Sequence, residues 1–367
     1  MFSHVSPENY EPQLTQKRQA MESLFADFAL PETEIYRSAP LNYRLRAEFR
    51  LWHEGDDLFF IMFDKETKEK FKVEDFPVAS VLINKAMKAL LKDIKTRKVL
   101  RERLFQVDFL STKSGELLIS MLYHKPLTDE WHENALLLSE RLSKVLGTVD
   151  IIGRARKQKI ILERDYVNEV LEVDGQSLHY QQVENSFTQP NGGVNEHMLS
   201  WAKQVTTGIG GDLIELYCGN GNFSIALADN FTRVLGTEIS KTSVNSAQLN
   251  ISANKKENII IVRLASEEFS QAMNGERTFR RLEGIDLTTY RYDTVLVDPP
   301  RAGLDDDSLE LVSRFERIVY ISCNPHTLKA NLETLSKTHH VENFALFDQF
   351  PYTDHIETGV YLTRKAK

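Results

Sequence analysis

The chain contains two cysteines, Cys218 and Cys323, and only one of them stands where a thiol can react. Cys323 follows the apolar run IVYIS and precedes Asn324-Pro325. It therefore falls just past a buried strand predicted over 317–322. A cysteine is more often a small buried hydrophobe than a nucleophile, and Cys218, behind a glycine turn, fits that description. Cys323 is instead flanked by polar residues at the edge where open α/β sheets bind ligands. A thiolate there suits one demanding reaction. Carbon 5 of uracil is a poor nucleophile, but addition of sulfur to carbon 6 makes an enolate whose carbon 5 can accept a methyl group. A base must then take the carbon-5 proton so that the thiol is eliminated. Glu357, opening a strand predicted over 357–363 that returns beside the Cys323 strand, is the first candidate for that base. Asp298 and His355 are its rivals. A free thiol with pKa ~8.5 is only a few per cent ionised at neutral pH, so the site is expected to depress it.

The methyl donor has its own signature. ELYCGNGNFS places Gly219 and Gly221 between a strand predicted over 212–217 and a helix over 223–230. Glycine there lets backbone approach a ligand and take positive φ. An acid, Glu238, ends the next strand in VLGTE, where it can accept both hydroxyls of an adenosine ribose. A dinucleotide fold expects G-x-G-x-x-G, and the third position here is Ser224. With Asp298-Pro299-Pro300 closing a later strand, the pattern favours S-adenosylmethionine (SAM) over a dinucleotide.

These residues need a scaffold. From Gly211 the chain alternates strand and helix, with buried strands predicted over 233–237, 259–263, 294–297 and 317–322, which means a parallel, doubly wound sheet. The first half reads differently. A mostly helical stretch over 6–28 precedes a hairpin over 43–63 and an amphipathic helix over 78–100. A second strand pair over 104–124 and a helix over 127–146, stopped at Gly147, repeat that pattern. Further strands cover 149–162 and 167–182. The expected architecture is an α+β RNA-binding domain over 1–185, then a class I, Rossmann-like SAM-methyltransferase domain of α/β type over 186–367. The cut falls where SFTQPNGGVN interrupts the periodicity.

Composition excludes several classes. No apolar run approaches the roughly 18 residues of a membrane span, and the N-terminus lacks a basic-then-apolar signal pattern. The cytoplasm is expected. Two cysteines are too few for a disulfide scaffold or a four-thiolate cluster, and no histidine spacing suggests a metal, so none is expected. The net charge of −8 speaks against nucleic acid, but eight Lys and Arg against two acids between Lys85 and Arg103 form a local basic helix. A phosphate backbone responds to local patches rather than to the global sign.

Taken together, ENSFTQPN, ELYCGNGNFS, VDPPRAGLD, YISCNP and FPYTDHIETGV resemble the uracil-5-methyltransferases of RNA. The whole chain, including RLRAEFRLWHEGDDL and MLYHKPLTDEW, is similar to the bacterial TrmA-type tRNA (uracil-5-)-methyltransferases. That resemblance implies methylation of uridine 54 in the tRNA T-loop, with the equivalent loop of tmRNA a substrate in some bacteria. Carried over by motif, Cys323 is the nucleophile and Glu357 the proton acceptor. Gln189, Tyr217, Asn222, Glu238 and Asp298 contact SAM. Phe105 and His124 meet the T-loop, and Arg50 and Glu48 join them on the RNA side. Ribosomal-RNA members typically add an oligonucleotide-binding domain, and some an iron–sulfur motif; their absence here favours tRNA. Methylation of rRNA uridine and a tRNA-folding chaperone activity are the alternative readings. No membrane and no obligate protein partner are expected.

Overall fold

In a computed structural model of the protein, residues 2–64 and 67–366 are described. In chain order the elements are α1 (Tyr10–Leu24), β1 (Thr33–Tyr36), β2 (Arg46–Glu54), β3 (Asp57–Phe63), β4 (Lys70–Lys72), α2 (Val81–Ile94) and α3 (Lys98–Arg101). Then come β5 (Leu104–Ser111), β6 (Leu117–Tyr123), α4 (Asp129–Leu146), β7 (Val149–Ala155), β8 (Gln158–Ile161), β9 (Tyr166–Val173), β10 (Gln176–Val183) and α5 (Gly192–Val205). The remainder is β11 (Asp212–Leu216), α6 (Asn222–Leu227), β12 (Arg233–Glu238), α7 (Lys241–Ala253), β13 (Ile259–Arg263), α8 (Ser266–Met273) and β14 (Thr294–Val297). It closes with α9 (Asp306–Val312), β15 (Arg317–Ser322), α10 (Pro325–Leu335), β16 (His339–Phe347) and β17 (Glu357–Arg364).

Two compact units result. The first joins Ala39–Val170 and Gln182–Gly192 with the residues up to Pro7. Its seven-stranded sheet runs β4-β3-β2-β5-β6-β7-β8. Strand β2 alternates buried Ala47, Phe49 and Leu51 with exposed Glu48, Arg50 and Trp52, so one face turns to a core. Ile83, Met87 and Leu90 of α2 and Trp131, Leu138 and Leu142 of α4 fill that core. Both helices start at side-chain caps, Ser80 accepting from the Ile83 N–H and Thr128 from the Trp131 N–H. The helix predicted over 78–100 is divided here into α2 and α3.

The second unit comprises Glu8–Ser38, Leu171–Gln181 and Gly193–Lys367. Its eight-stranded sheet has the order β1-β16-β17-β15-β14-β11-β12-β13. Strands β11 to β15 are mutually parallel, and β17 runs antiparallel to both β15 and β16. Every residue of β11 and β14 is buried, as expected where helices cover both faces of a parallel sheet. The α/β expectation for this half agrees with that sheet.

The division differs from a single cut after residue 185 in three respects, the first being that Leu171–Gln181 group with the second unit. Residues 182–192 group with the first unit. The N-terminal helix groups with the second, because Tyr10, Leu14, Met21 and Phe25 join a core containing Val295, Ile318, Phe344 and Val360. Strand β1 then adds to the edge of that sheet, pairing in parallel with β16 from Thr33↔Phe344 to Tyr36↔Phe347.

Among the described residues no helix is long and apolar enough to cross a membrane, and no group of three or more His, Cys, Asp or Glu is placed to hold a metal ion.

Candidate active site

The second unit gathers its reactive residues by strand register. Leu216 pairs with Val297, and Val297 with Tyr320. Ser322 pairs with Thr358 across the antiparallel β15–β17 ladder. One step past these pairs stand Tyr217, Asp298, Cys323 and Glu357, with Glu238 ending the neighbouring β12. All five therefore lie along one edge of the sheet, the carboxyl end of its parallel strands, where doubly wound folds bind ligands.

The cofactor side is a strained turn. Tyr217, Gly219 and Gly221 all have positive φ, at 61°, 56° and 84°. A Cβ on Gly219 would meet nothing within 4 Å, so glycine serves backbone conformation and open approach rather than packing. Glu238 ties this turn to β12. One of its carboxylate oxygens accepts from the Gly219 N–H at 3.0 Å, and the other from the Ser240 N–H at 2.7 Å. Asn222 exchanges amide hydrogen bonds with Asn195 at 2.8 and 3.0 Å, and Tyr217 Oη accepts from Ser266 Oγ at 2.8 Å. Ile239, 65% exposed beside Glu238, adds an apolar surface on which a flat aromatic ring can lie. Cys218 is buried and packs beneath the turn, 3.1 Å from the position a Cβ on Gly236 would take. Gln189 belongs to the first unit and is half-buried there. Four of the five cofactor candidates thus share one unit.

Cys323 is held between a buried strand and a capped helix. Ser322 Oγ donates to the Asn324 carbonyl at 3.0 Å, and Thr358 Oγ1 to the Ser322 carbonyl at 3.1 Å. Asn324 caps α10 by accepting from the His326 N–H, with Pro325 in the first turn. Asn324 Nδ2 also donates to the Arg301 carbonyl at 3.0 Å. That last bond fixes the Asp-Pro-Pro-Arg loop against the cysteine. Farther along the loop, Asn331 of α10 accepts from the Leu304 N–H at 3.0 Å.

The electrostatics correct one expectation. The thiol was expected to be depressed; burial, and then the charges of Glu357 and Asp298, push Cys323 up to about 11. Arg301 lowers it too little to compensate. The acids are shifted in the same direction. Burial pushes Asp298 up to about 7. Burial and the neighbouring Asp298 raise Glu357, which is 5% exposed, well above its usual range. Beneath the turn Glu215, hydrogen-bonded by Ser224 Oγ, is pushed up to about 8 by burial. Among the described residues neither Asp298 nor Glu357 has an ion-pair or side-chain hydrogen-bond partner. Burial without a cation holds these carboxyls toward their neutral forms, and a positively charged ligand beside them would favour their ionisation, so the donor set fits a cation. Sequence reading missed Glu215 in this group, although an acid inside the apolar run DLIEL is a visible signal. Of the rival bases, His355 is exposed, with its ring 5.3 Å from that of Phe350.

The first unit holds the four RNA candidates. A register shift between Leu104 and Gln106 on the β5–β6 ladder presents Phe105, which stacks on His124 with ring centroids 3.8 Å apart and planes 10° from parallel. The pair lines an open cavity of about 700 Å³ that also contains Lys125, Arg154 and Arg156. Arg50 and Glu48 lie on the solvent face of the adjacent β2, Arg50 opposite Gln106, the neighbour of Phe105, and Glu48 opposite Asp108. The basic helix is less free than its composition suggests. Lys88 pairs with Asp75 at 2.6 Å, Lys95 with Asp57 at 2.8 Å and Arg97 with Asp93 at 2.9 Å.

Comparison with known proteins identifies the family and the fold. The sequence model of the tRNA (Uracil-5-)-methyltransferase family matches residues 9–365. A tRNA/tmRNA (uracil-C(5))-methyltransferase from Colwellia psychrerythraea is 71% identical over 365 residues, covering 100% of each chain. One from Vibrio parahaemolyticus is 58% identical over 364 residues, covering 99% of each. Among solved structures, the Pyrococcus abyssi tRNA (uracil-54, C5)-methyltransferase in complex with S-adenosyl-L-homocysteine shares the fold. Its TM-score is 0.73 at 20% identity, over 97% of this chain and 84% of that one.

Proposed function

The chain belongs to the tRNA (uracil-5-)-methyltransferase family, and from that premise we propose that it methylates carbon 5 of uridine 54 in the tRNA T-loop through a transient Cys323–base bond. The observation that carries the mechanism is the β15–β17 register, which continues from Ser322↔Thr358 to Cys323 and Glu357. When bound, SAM supplies an electrophilic methyl group on a cationic sulfonium. Tyr217, Asn222, Glu238 and Asp298, with Gln189, are the residues that hold it, and the recess of unpaired carboxyls suits its charge.

The protein's own residues do the rest. Cys323 Sγ, once deprotonated, adds to carbon 6, and the carbon 5–carbon 6 π electrons move toward carbon 5 and the carbonyl oxygen. After carbon 5 has gained the methyl, Glu357 accepts the carbon-5 proton. The C–H electron pair re-forms the double bond, and the carbon 6–sulfur pair leaves with Cys323. Burial and the neighbouring Asp298 raise the proton affinity of this acid, which strengthens it as a base once it is ionised. Glu357 is preferred to His355, which is exposed, and to Asp298, whose place beside Tyr217 suits the cofactor.

The target base is stacked in folded tRNA and must be extruded to be attacked. The Phe105–His124 stack beside Arg154 and Arg156 is a surface for unstacked T-loop bases and their phosphates. The relatives' names add tmRNA, which we take as a second substrate, and the setting is cytoplasmic.

The test is nucleoside analysis of transcripts after incubation with SAM. The proposal expects 5-methyluridine in tRNA and tmRNA transcripts, and its loss from tRNA when uridine 54 becomes cytidine. Methylation of a ribosomal-RNA fragment in preference to tRNA would overturn it.

A further inference from the structure

One side of α1 carries a polar ladder aimed at the loop that leads into Glu357. Gln13 and Lys17 lie one helical turn apart on this side. Lys17 Nζ donates to Asp348 Oδ1 and to the Phe350 carbonyl, both at 2.8 Å. Gln13 Nε2 donates to the other Asp348 oxygen at 2.7 Å, while Gln13 Oε1 accepts from the Tyr352 N–H at 3.2 Å. The Asp348 N–H donates to the Tyr36 carbonyl at 3.0 Å. Lys17 is 6% exposed and Asp348 0%.

The place of this anchor matters. Phe347, the residue before Asp348, pairs with Glu357 at the end of the β16–β17 ladder. Residues 348–356 therefore form a loop that leaves and re-enters the sheet at one rung, and its last step delivers Glu357. Lys17 and Gln13 hold three points of the loop: the Asp348 carboxylate, the Phe350 carbonyl and the Tyr352 N–H. A buried ion pair is a poor source of stability compared with apolar side chains of similar size. What it does supply is a fixed geometry.

We infer that Lys17 and Gln13 are positioning residues for proton abstraction, setting the 348–356 loop so that the Glu357 carboxyl faces the carbon-5 proton. This rests on Glu357 as the base. A loosened loop leaves sulfur addition and methyl transfer intact, since Cys323 is held by β15 and α10. It slows the proton removal that must precede carbon–sulfur cleavage, so methylated RNA stays bonded to the enzyme.

The experiment follows both steps in single turnovers with labelled SAM and a T-arm RNA. Methyl transfer is read as label in RNA, and release as loss of the denaturant-stable protein–RNA adduct. Lys17→Met should slow release about tenfold or more, as expected for a misplaced base, with methyl transfer within about threefold of wild type. Lys17→Arg should recover much of the release rate. Because Lys17→Met strands a buried carboxylate and can fail to fold, the double variant Lys17→Met/Asp348→Leu removes both charges, and it should show the same split. If either folded variant releases at the wild-type rate, or slows both steps equally, the inference is overturned. Glu357→Gln is the reference. If it too releases at the wild-type rate, the base assignment itself fails. If it accumulates adduct while the Lys17 variants do not, only the positioning role fails.

Discussion

Cys323 and Glu357 occupy facing positions one step beyond the Ser322–Thr358 pair, at the end of two antiparallel neighbouring strands. A thiol and a carboxyl set this way can address adjacent atoms of one flat ring. Burial first, and then the charges of Glu357 and Asp298, hold the Cys323 sulfur as a thiol, while burial and Asp298 make Glu357 harder to ionise.

That state can be read by alkylation. With its pKa pushed up to about 11, Cys323 should have about a thousandth of its sulfur ionised at pH 8, against roughly a quarter for an ordinary thiol. Its iodoacetamide rate should still be climbing at pH 10. A cationic SAM analogue such as sinefungin should move the profile to lower pH, provided it leaves the thiol accessible. Cys218 is buried, so mass spectrometry of the 323 peptide isolates the signal. A plateau near pH 8.5 without ligand would contradict the electrostatic picture.

The raised acids also cost stability, with a definite sign. Asp298 has a folded-state pKa of about 7 against ~3.9 unfolded. Between those values the folded protein binds more protons, so this group's contribution falls as pH rises from about 4 to 7 and stays low above that. Asp298→Asn should therefore stabilise the ligand-free protein at pH 8 by about 1–2 kcal/mol, discounted for partial solvent contact, and change little near pH 4. Thermal melts at the two pH values, with and without ligand, check this. Equal effects at both would mean that Asp298 is not desolvated as described.

Recognition should separate from the cofactor site. Replacing Phe105 or His124 with Ala should weaken T-arm RNA binding by about 1–3 kcal/mol, the range for a lost base-stacking platform, without changing SAM affinity. Changing Lys92, Lys95, Lys98 and Arg101 to Ala should flatten the salt dependence of tRNA binding. The flattening should be less than four phosphate contacts would give, because Lys95 already pairs with Asp57 and Arg101 donates to the carbonyls of Asp56, Asp57 and Lys95. Filter binding across salt concentrations measures both effects.

What could be read from sequence follows from the range of each interaction. The glycine turn, the strand behind Cys323 and the β17 return are local patterns, and they appear close to their predicted positions. The short edge strand β1 was not legible, because its four half-buried residues show no alternation and gain their structure from β16. Helix α5 was read partly as a boundary, since the Pro190-Asn191-Gly192-Gly193 run that leads into it reads as a turn. The placement of α1 with the second unit depends on contacts such as Lys17–Asp348, 331 positions apart, which no periodicity reveals. The thiol's shift was read with the wrong sign for a related reason. Motif chemistry asks for a thiolate, but the charge state depends on which neighbours the fold brings close, and here these are two desolvated acids.

The covalent bond itself is open to capture. With 5-fluorouridine at position 54 of a T-arm RNA, fluorine replaces the proton that Glu357 would remove, so elimination cannot occur after methyl transfer. Incubation with SAM should yield a denaturant-stable adduct whose nucleotide-bearing peptide contains Cys323, and Cys323→Ala should give neither adduct nor methylation of ordinary RNA. A Cys323→Ala protein that still methylates carbon 5 of uridine would contradict the account.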